Sequence, residues 1–175
     1  KVEVAQLLAI TMDPSTQQIM INKGKRSGVM LGQPVLDAYG VLGQVVSLNP
    51  FTSRVRLIND EQFAIPVEDK RSGVRAIAIG TGRAHELTLT EIDPRDDIQT
   101  ADSFVTSGFG GKFPKGYPVG TVKSKKKDEN NQAEKIMLTI AAHINSSQQV
   151  LLAWPNQTDH TNTNNTPNKA MHDLT

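Results

Sequence analysis

Ser107 stands between Thr106 and Gly108 in the stretch 105–120, VTSGFGGKFPKGYPVG, where the residue types could do chemistry. A serine among glycines reads in two ways. It is a nucleophile beside oxyanion-hole amides, or it is a hydroxyl that closes a turn onto a neighbouring amide. The nucleophile needs a histidine base and an orienting carboxylate, and in a two-barrel serine hydrolase both come from the first half of the chain. The four histidines are His85, His143, His160 and His172, so residues 1–84 hold none. A two-barrel hydrolase using Ser107 therefore stands as the alternative reading, and catalytic residues are expected to be absent. The same histidines show no metal-ligand spacing, and there is no cysteine to complement them. The GFGG and GTG segments lack the lysine–serine pair and following helix of a phosphate loop. Neither a cofactor nor a metal is expected.

The aromatic content of the stretch points elsewhere. Phe109, Phe113 and Tyr117 fall within nine residues of glycine-broken chain. A loop of this kind seldom buries three rings in one core, and exposed aromatic clusters mark partner sites. Packing of the rings between two barrels is the competing reading. The one local basic run, Lys123-Ser124-Lys125-Lys126-Lys127, lacks the interleaved aromatics of a nucleic-acid groove. It reads as a solvated hairpin tip, and no nucleic-acid partner is expected.

The elements that must position these residues are strands. Short alternating runs rich in Val, Ile and Thr recur about every dozen residues, separated by Gly, Pro, Asn or Asp. Strands are predicted near 2–12, 18–22, 34–38, 42–48, 53–57, 64–67, 75–80, 86–91, 103–106, 119–125, 136–142 and 149–154, with a single helical turn at 93–97. Twelve short strands suit two six-stranded barrels, which leave few open edges. The expected division is 1–80 for the first barrel and 81–155 for the second, broken at Gly80-Thr81-Gly82, with the last strand open to closing either one. Residues 156–175 are rich in Asn and Thr and nearly devoid of apolar side chains. Such a segment cannot offset about 1–2 kcal/mol of ordering entropy per residue, so a disordered tail is expected.

The 175 residues carry nineteen Lys plus Arg against eighteen Asp plus Glu, a formal charge of +1, so no global field selects an anionic partner. Without cysteine the redox compartment stays open. The apolar runs fall far short of the ~20 residues of a membrane helix. The chain starts at Lys1 without a leader, and so reads as an excised or processed piece.

Two blocks carry a family resemblance: INKGKRSGVMLGQPVLDAYGVLGQVVSLNPFTSRVRLI at 21–58 and FVTSGFGGKFPKGYPVGTV at 104–122. Both resemble the extracytoplasmic part of the rod shape-determining MreC family, and the likeness runs from about residue 15 to Trp154. The resemblance implies two β-barrels, related in architecture to chymotrypsin-like proteases but without their triad. It implies a noncatalytic scaffold that self-associates as a dimer or filament. Its implied partners are a class B penicillin-binding transpeptidase of wall elongation, which it docks and activates, together with MreD, MreB and RodA. It also implies a periplasmic domain anchored in the inner membrane by an N-terminal helix outside this chain. The matching positions are mostly shape-determining. Gly24, Gly28, Gly32, Gly40, Gly43, Gly108, Gly110, Gly111, Gly116 and Gly120 are expected to serve turns, with Ser107 as a turn hydroxyl. Phe109, Phe113 and Tyr117 are the expected partner contacts. In two places the sequence departs from the family: Ala101-Asp102 replaces the usual Gly-Asp, and Phe109 stands where leucine is usual.

Overall fold

The structure, a computed structural model, describes residues 2–13, 15–127, 134–146 and 148–154; the expected tail at 156–175 lies outside them. The described strands form two closed antiparallel barrels of six. In the first, β1 (Val2–Asp13), β2 (Thr16–Ile21), β3 (Pro34–Leu36), β4 (Val41–Leu48), β5 (Ser53–Leu57) and β12 (Gln149–Ala153) close in the order β1-β12-β3-β4-β5-β2. In the second, β6 (Ala64–Asp69), β7 (Arg75–Gly80), β8 (Glu86–Thr90), β9 (Ser103–Thr106), β10 (Pro118–Lys127) and β11 (Glu134–Ile140) close as β10-β11-β8-β7-β6-β9.

Period-two patterning explains both. In β7 the residues Ala76, Ala78 and Gly80 point inward while Arg75, Ile77 and Ile79 point outward, and β2 and β8 alternate in the same way. Ile19, Ile21, Val55, Leu57 and Leu152 fill the first barrel; Ile65, Leu87, Phe104, Ile136 and Leu138 fill the second. Each such side chain contributes about 1.5–3 kcal/mol by leaving water. The interiors are therefore packed cores with no room for a ligand channel.

The barrels do not divide at 80–82. β6 and β7 belong to the second barrel, and the chain crosses over at 58–63. The glycines at 80–82 instead let the chain lie against that crossing: the Gly80 amide donates to Phe63 O at 3.1 Å and the Gly82 amide to Asn59 O at 2.8 Å. A Cβ at Gly80 would strike the Asp60 carbonyl. The last strand pairs with β1 and β3 and so closes the first barrel. At 93–97 the chain makes a β-turn rather than a helical turn, with the Asp96 amide on Asp93 O, because the Asp93 and Asp96 side chains take neighbouring amides. The described helical element is a short 3-10 turn at Lys25–Ser27.

A direct seam joins the barrels. The Asp37 carboxylate, after β3, accepts the Tyr39 and Gly40 amides on Oδ1 and the His143 amide, from the segment after β11, on Oδ2 at 2.6 Å. The Tyr39 and His143 rings stack with centroids 3.7 Å apart. Gly40 makes this approach possible, since a Cβ there would strike the Pro118 carbonyl in β10.

Candidate functional site

The glycine-rich loop at 107–117 is built from its base. Thr106 is fully buried at the end of β9; its hydroxyl donates to Pro114 O at 2.6 Å and accepts the Tyr117 amide at 2.9 Å. Its backbone pairs with Tyr117 and Gly116, so the two ends of the loop are fastened together. Above that base the chain reverses on Gly108, Gly110, Gly111 and Gly116, all at φ between 70° and 98°. Gly28 and Gly32 share this left-handed conformation. The other expected turn glycines do not. Gly43 and Gly120 lie inside β4 and β10, and Gly24 and Gly40 serve close backbone approach.

Ser107 is nearly buried. Its amide donates to Pro66 O at 3.2 Å, and its Oγ accepts the Phe109 amide at 3.2 Å. That is the bonding of a turn hydroxyl. Among the described residues no imidazole lines its surroundings: His85 and His143 border a separate hollow with Thr139, Ile140, Asn145 and Ser146. Among the described residues no group of three or more His, Asp or Glu is placed to hold a metal.

The three rings part company. Phe113 is only 6% exposed and packs edge-on against Phe63, centroids 6.3 Å apart, so its ring belongs to the core and not to the exposed cluster expected of the three rings. Tyr117 is half-buried against the same core. Phe109 is 65% exposed. Flanked by two left-handed glycines, its ring points away from the interior and forms one wall of an apolar hollow of about 270 Å³ with Pro66, Val67, Ala76 and Ile77. Arg75 reaches over the ring, 5.3 Å from its centroid, and Glu91 stands at the rim. On the loop's other side Lys112 borders a second hollow of about 360 Å³ with Met30, Leu31 and Pro34, where Leu31 is 65% exposed. The arrangement can accept apolar side chains beside charged groups of either sign; Ser107 also lines the first hollow, with its hydroxyl accepting the Phe109 amide.

Sequence reasoning missed the strap that holds the neighbouring loop, 91–102. Arg71 donates to both oxygens of Asp102 at 2.9 and 2.8 Å and to both of Asp97 at 2.8 and 3.0 Å. These bonds hold the Asp102 carboxyl far below the ordinary range, and Asp97 is lowered by the same guanidinium. Asp69 is buried beside Asp102. Desolvation, and then the Asp102 carboxylate, raise its pKa, although its Oδ1 accepts the Arg71 and Ser72 amides. Its Oδ2 is buried and meets no donor. Ala101, in the family's glycine position, sits at φ 71°. That departure was the available signal of a strained turn; nothing in the spacing of Arg71 and Asp102 announced their pairing.

Comparison with known proteins places this geometry. The family model described as rod shape-determining protein MreC, barrel core, matches residues 7–154. The cell shape-determining protein MreC of Haemophilus influenzae is 42% identical over 157 residues, covering 90% of this chain and 45% of the relative. The chain thus spans less than half of that relative's length. A crystal structure of MreC from Pseudomonas aeruginosa matches at TM-score 0.83 and 45% identity, covering 88% of this chain and 99% of the other. Two more distant structures share the fold. One is MreC of Helicobacter pylori in complex with a penicillin-binding protein, PBP2, at TM-score 0.64 and 20% identity, covering 87% and 98%. The other is the major periplasmic domain from the cell shape-determining filament MreC, at TM-score 0.73 and 17% identity, covering 87% and 94%. The curated relative and the family model are named as shape-determining proteins. Matched along nearly all of its two closed barrels, the chain belongs to the rod shape-determining protein MreC family.

Proposed function

We propose that this chain is a periplasmic scaffold of bacterial wall elongation that docks a class B penicillin-binding transpeptidase on its second barrel and activates it. The docking surface is centred on Phe109. A ring held 65% exposed on an apolar hollow, by a loop fastened through the Thr106 hydroxyl and its left-handed glycines, carries the reading. An aromatic residue of this kind anchors an interface once a partner excludes water from around it. The Helicobacter pylori relative's complex with PBP2 supports the class of partner. Activation, self-association, anchoring in the inner membrane by a segment outside this chain, and assembly with MreD, MreB and RodA belong to the same proposal and rest on the family. Ser107 as a hydrolase nucleophile finds no support, since its hydroxyl is engaged in the turn.

The test is binding of this domain to the cognate transpeptidase by calorimetry. Phe109→Ala is expected to weaken binding at least ~30-fold, in line with a hot-spot loss of ~2 kcal/mol, while leaving stability within ~0.5 kcal/mol. Unchanged affinity would remove Phe109 from the interface. Replacing Phe113 would not test this, because it would open a cavity in the core.

A further inference from the structure

In the first, closed barrel β1 runs on past its neighbour β12, and among the described residues no strand flanks that extension on the β12 side. β1 pairs with β12 through residues 2–6 and with β2 through residues 7–13, with a bulge between Leu7 and Ala9. Beyond the Leu7 amide, which donates to Gln148 O, the β12 side of β1 meets no strand among the described residues. From Leu8 to Asp13 every residue is exposed, and the run is Leu-Ala-Ile-Thr-Met-Asp. Leu8, Ile10 and Met12 are 54%, 47% and 44% exposed. Natural edges are blunted by lysine, proline, inward charge or a bulge. Residues 9–12 carry none of these; the bulge at Leu8 lies at one end of the run, and Asp13 is its only charge. An uncharged, apolar strand with a free backbone ladder is a template for another strand.

We infer that this edge, residues 8–13 of β1, pairs with the same edge of a second copy of the chain, antiparallel and two-fold about Ile10. The inference rests on the self-association reading and names its surface and register. The segment is complementary to itself. With Ile10 facing Ile10 of the second copy, Leu8 falls opposite Met12 and Ala9 opposite Thr11, so the three large apolar side chains face one another. Registers centred on Ala9 or Thr11 leave one of them opposite another residue type. The two Asp13 carboxylates then lie at opposite ends of the paired strands, so like charges do not meet. An isologous contact of this kind closes as a dimer, and any longer assembly needs a second surface.

The chain has no cysteine, so a single introduced thiol reports the register. Residues directly opposite in an antiparallel pair have Cα atoms roughly 4.5–5.5 Å apart, within disulfide range. Ile10→Cys is expected to form a covalent dimer on mild oxidation, whereas Leu8→Cys alone is not, and a mixture of Leu8→Cys with Met12→Cys is. In sedimentation equilibrium Ile10→Lys and Thr11→Lys are each expected to weaken dimerisation at least ~10-fold, with unchanged circular dichroism. Two lysines at separate positions guard against one variant merely misfolding. Self-association that persists in both variants, with no disulfide at position 10, would overturn this edge while leaving the self-association reading intact. A wild-type chain that stays monomeric at every concentration would overturn both.

Discussion

Two loops of the second barrel lie side by side in sequence and are held in opposite ways. The loop at 91–102, between β8 and β9, is strapped by charge, with Arg71 spending its guanidinium on Asp97 and Asp102 while Gln99 donates its amide to Asp102. The loop at 107–117, between β9 and β10, is held by backbone turns, by the Thr106 hydroxyl and by the buried Phe113 ring. The first has Asp97 and Asp102 directed at Arg71 of its own barrel. The second is fastened mainly through backbone turns and Thr106, with one ion pair from the exposed Lys115 to Glu68 of β6, and it leaves Phe109 turned outward. A loop anchored mainly by neutral hydrogen bonds and one buried ring keeps its aromatic surface available for a partner, whereas a loop anchored by its charges has already used those.

That contrast makes Thr106 the fastening whose loss should cost most. Thr106→Val keeps the shape and removes a hydroxyl that serves two backbone groups, the Pro114 carbonyl and the Tyr117 amide. Leaving buried groups unsatisfied costs about 1–3 kcal/mol each, and because Pro114 and Tyr117 are only half-buried the sum comes to about 2–3 kcal/mol. Urea unfolding measures it. Transpeptidase affinity should fall with it, because Phe109 loses its fixed position. Full stability in this variant would mean that the glycine turns alone hold the loop.

The strap is distinguished by its response to pH. The Asp69 pKa is raised above the ordinary 3.8, by burial first and then by Asp102. The folded state therefore holds that proton more tightly than the unfolded chain. The stability this contributes is fully present below pH 3.8 and is lost as pH rises through the folded value. Asp102 is shifted the other way, chiefly by Arg71, and contributes stability above its ordinary pKa that is lost as pH falls. Asp69→Asn offers Oδ1 to the Arg71 and Ser72 amides and directs Nδ2 at Asp102. It should abolish the decline on the alkaline side and leave the acid-side loss in place. Melting temperatures between pH 3 and pH 8 check both signs, and Asp102→Asn should show the converse. Thr106 is not titratable, so its variant should shift the whole profile without changing its shape.

The same difference decides what could be read from sequence. The strands were legible because alternation is local: β4, β5, β7 and β9 fall where Val, Ile and Thr alternate between turn residues. Glycine roles were half legible. The left-handed turns at 108–116 read correctly as turns, but Gly43 and Gly80 answer to backbone from a neighbouring strand or from the crossing segment. Sequence does not display that proximity. For the same reason the boundary was misplaced, since a glycine that admits a crossing chain resembles one that links two domains. Phe113 and Phe109 had equal claims as exposed rings, and they were separated only by which side of the turn faces Phe63. Arg71 and Asp102 lie 31 residues apart and meet only once the barrel has closed.

The smallest expected effect tests how tightly the strap grips. Ala101 is held at φ 71°, where a side chain costs about 1–2 kcal/mol that glycine does not incur. Glycine gives back about 0.5–1 kcal/mol through the greater freedom of its unfolded chain. Ala101 is exposed, so its methyl packs against little. Ala101→Gly should therefore stabilise the domain by about 0.5–1 kcal/mol, seen as a higher urea midpoint at unchanged slope. Its amide bond to Val122 O and the Asp102 amide bond to Gln99 O should persist, because both already exist with the left-handed turn in place. A loss of stability would mean that alanine limits the unfolded ensemble by more than its strain costs. In that case the Arg71–Asp102 bonds hold the turn with energy to spare, and the charged loop is the more firmly anchored of the two.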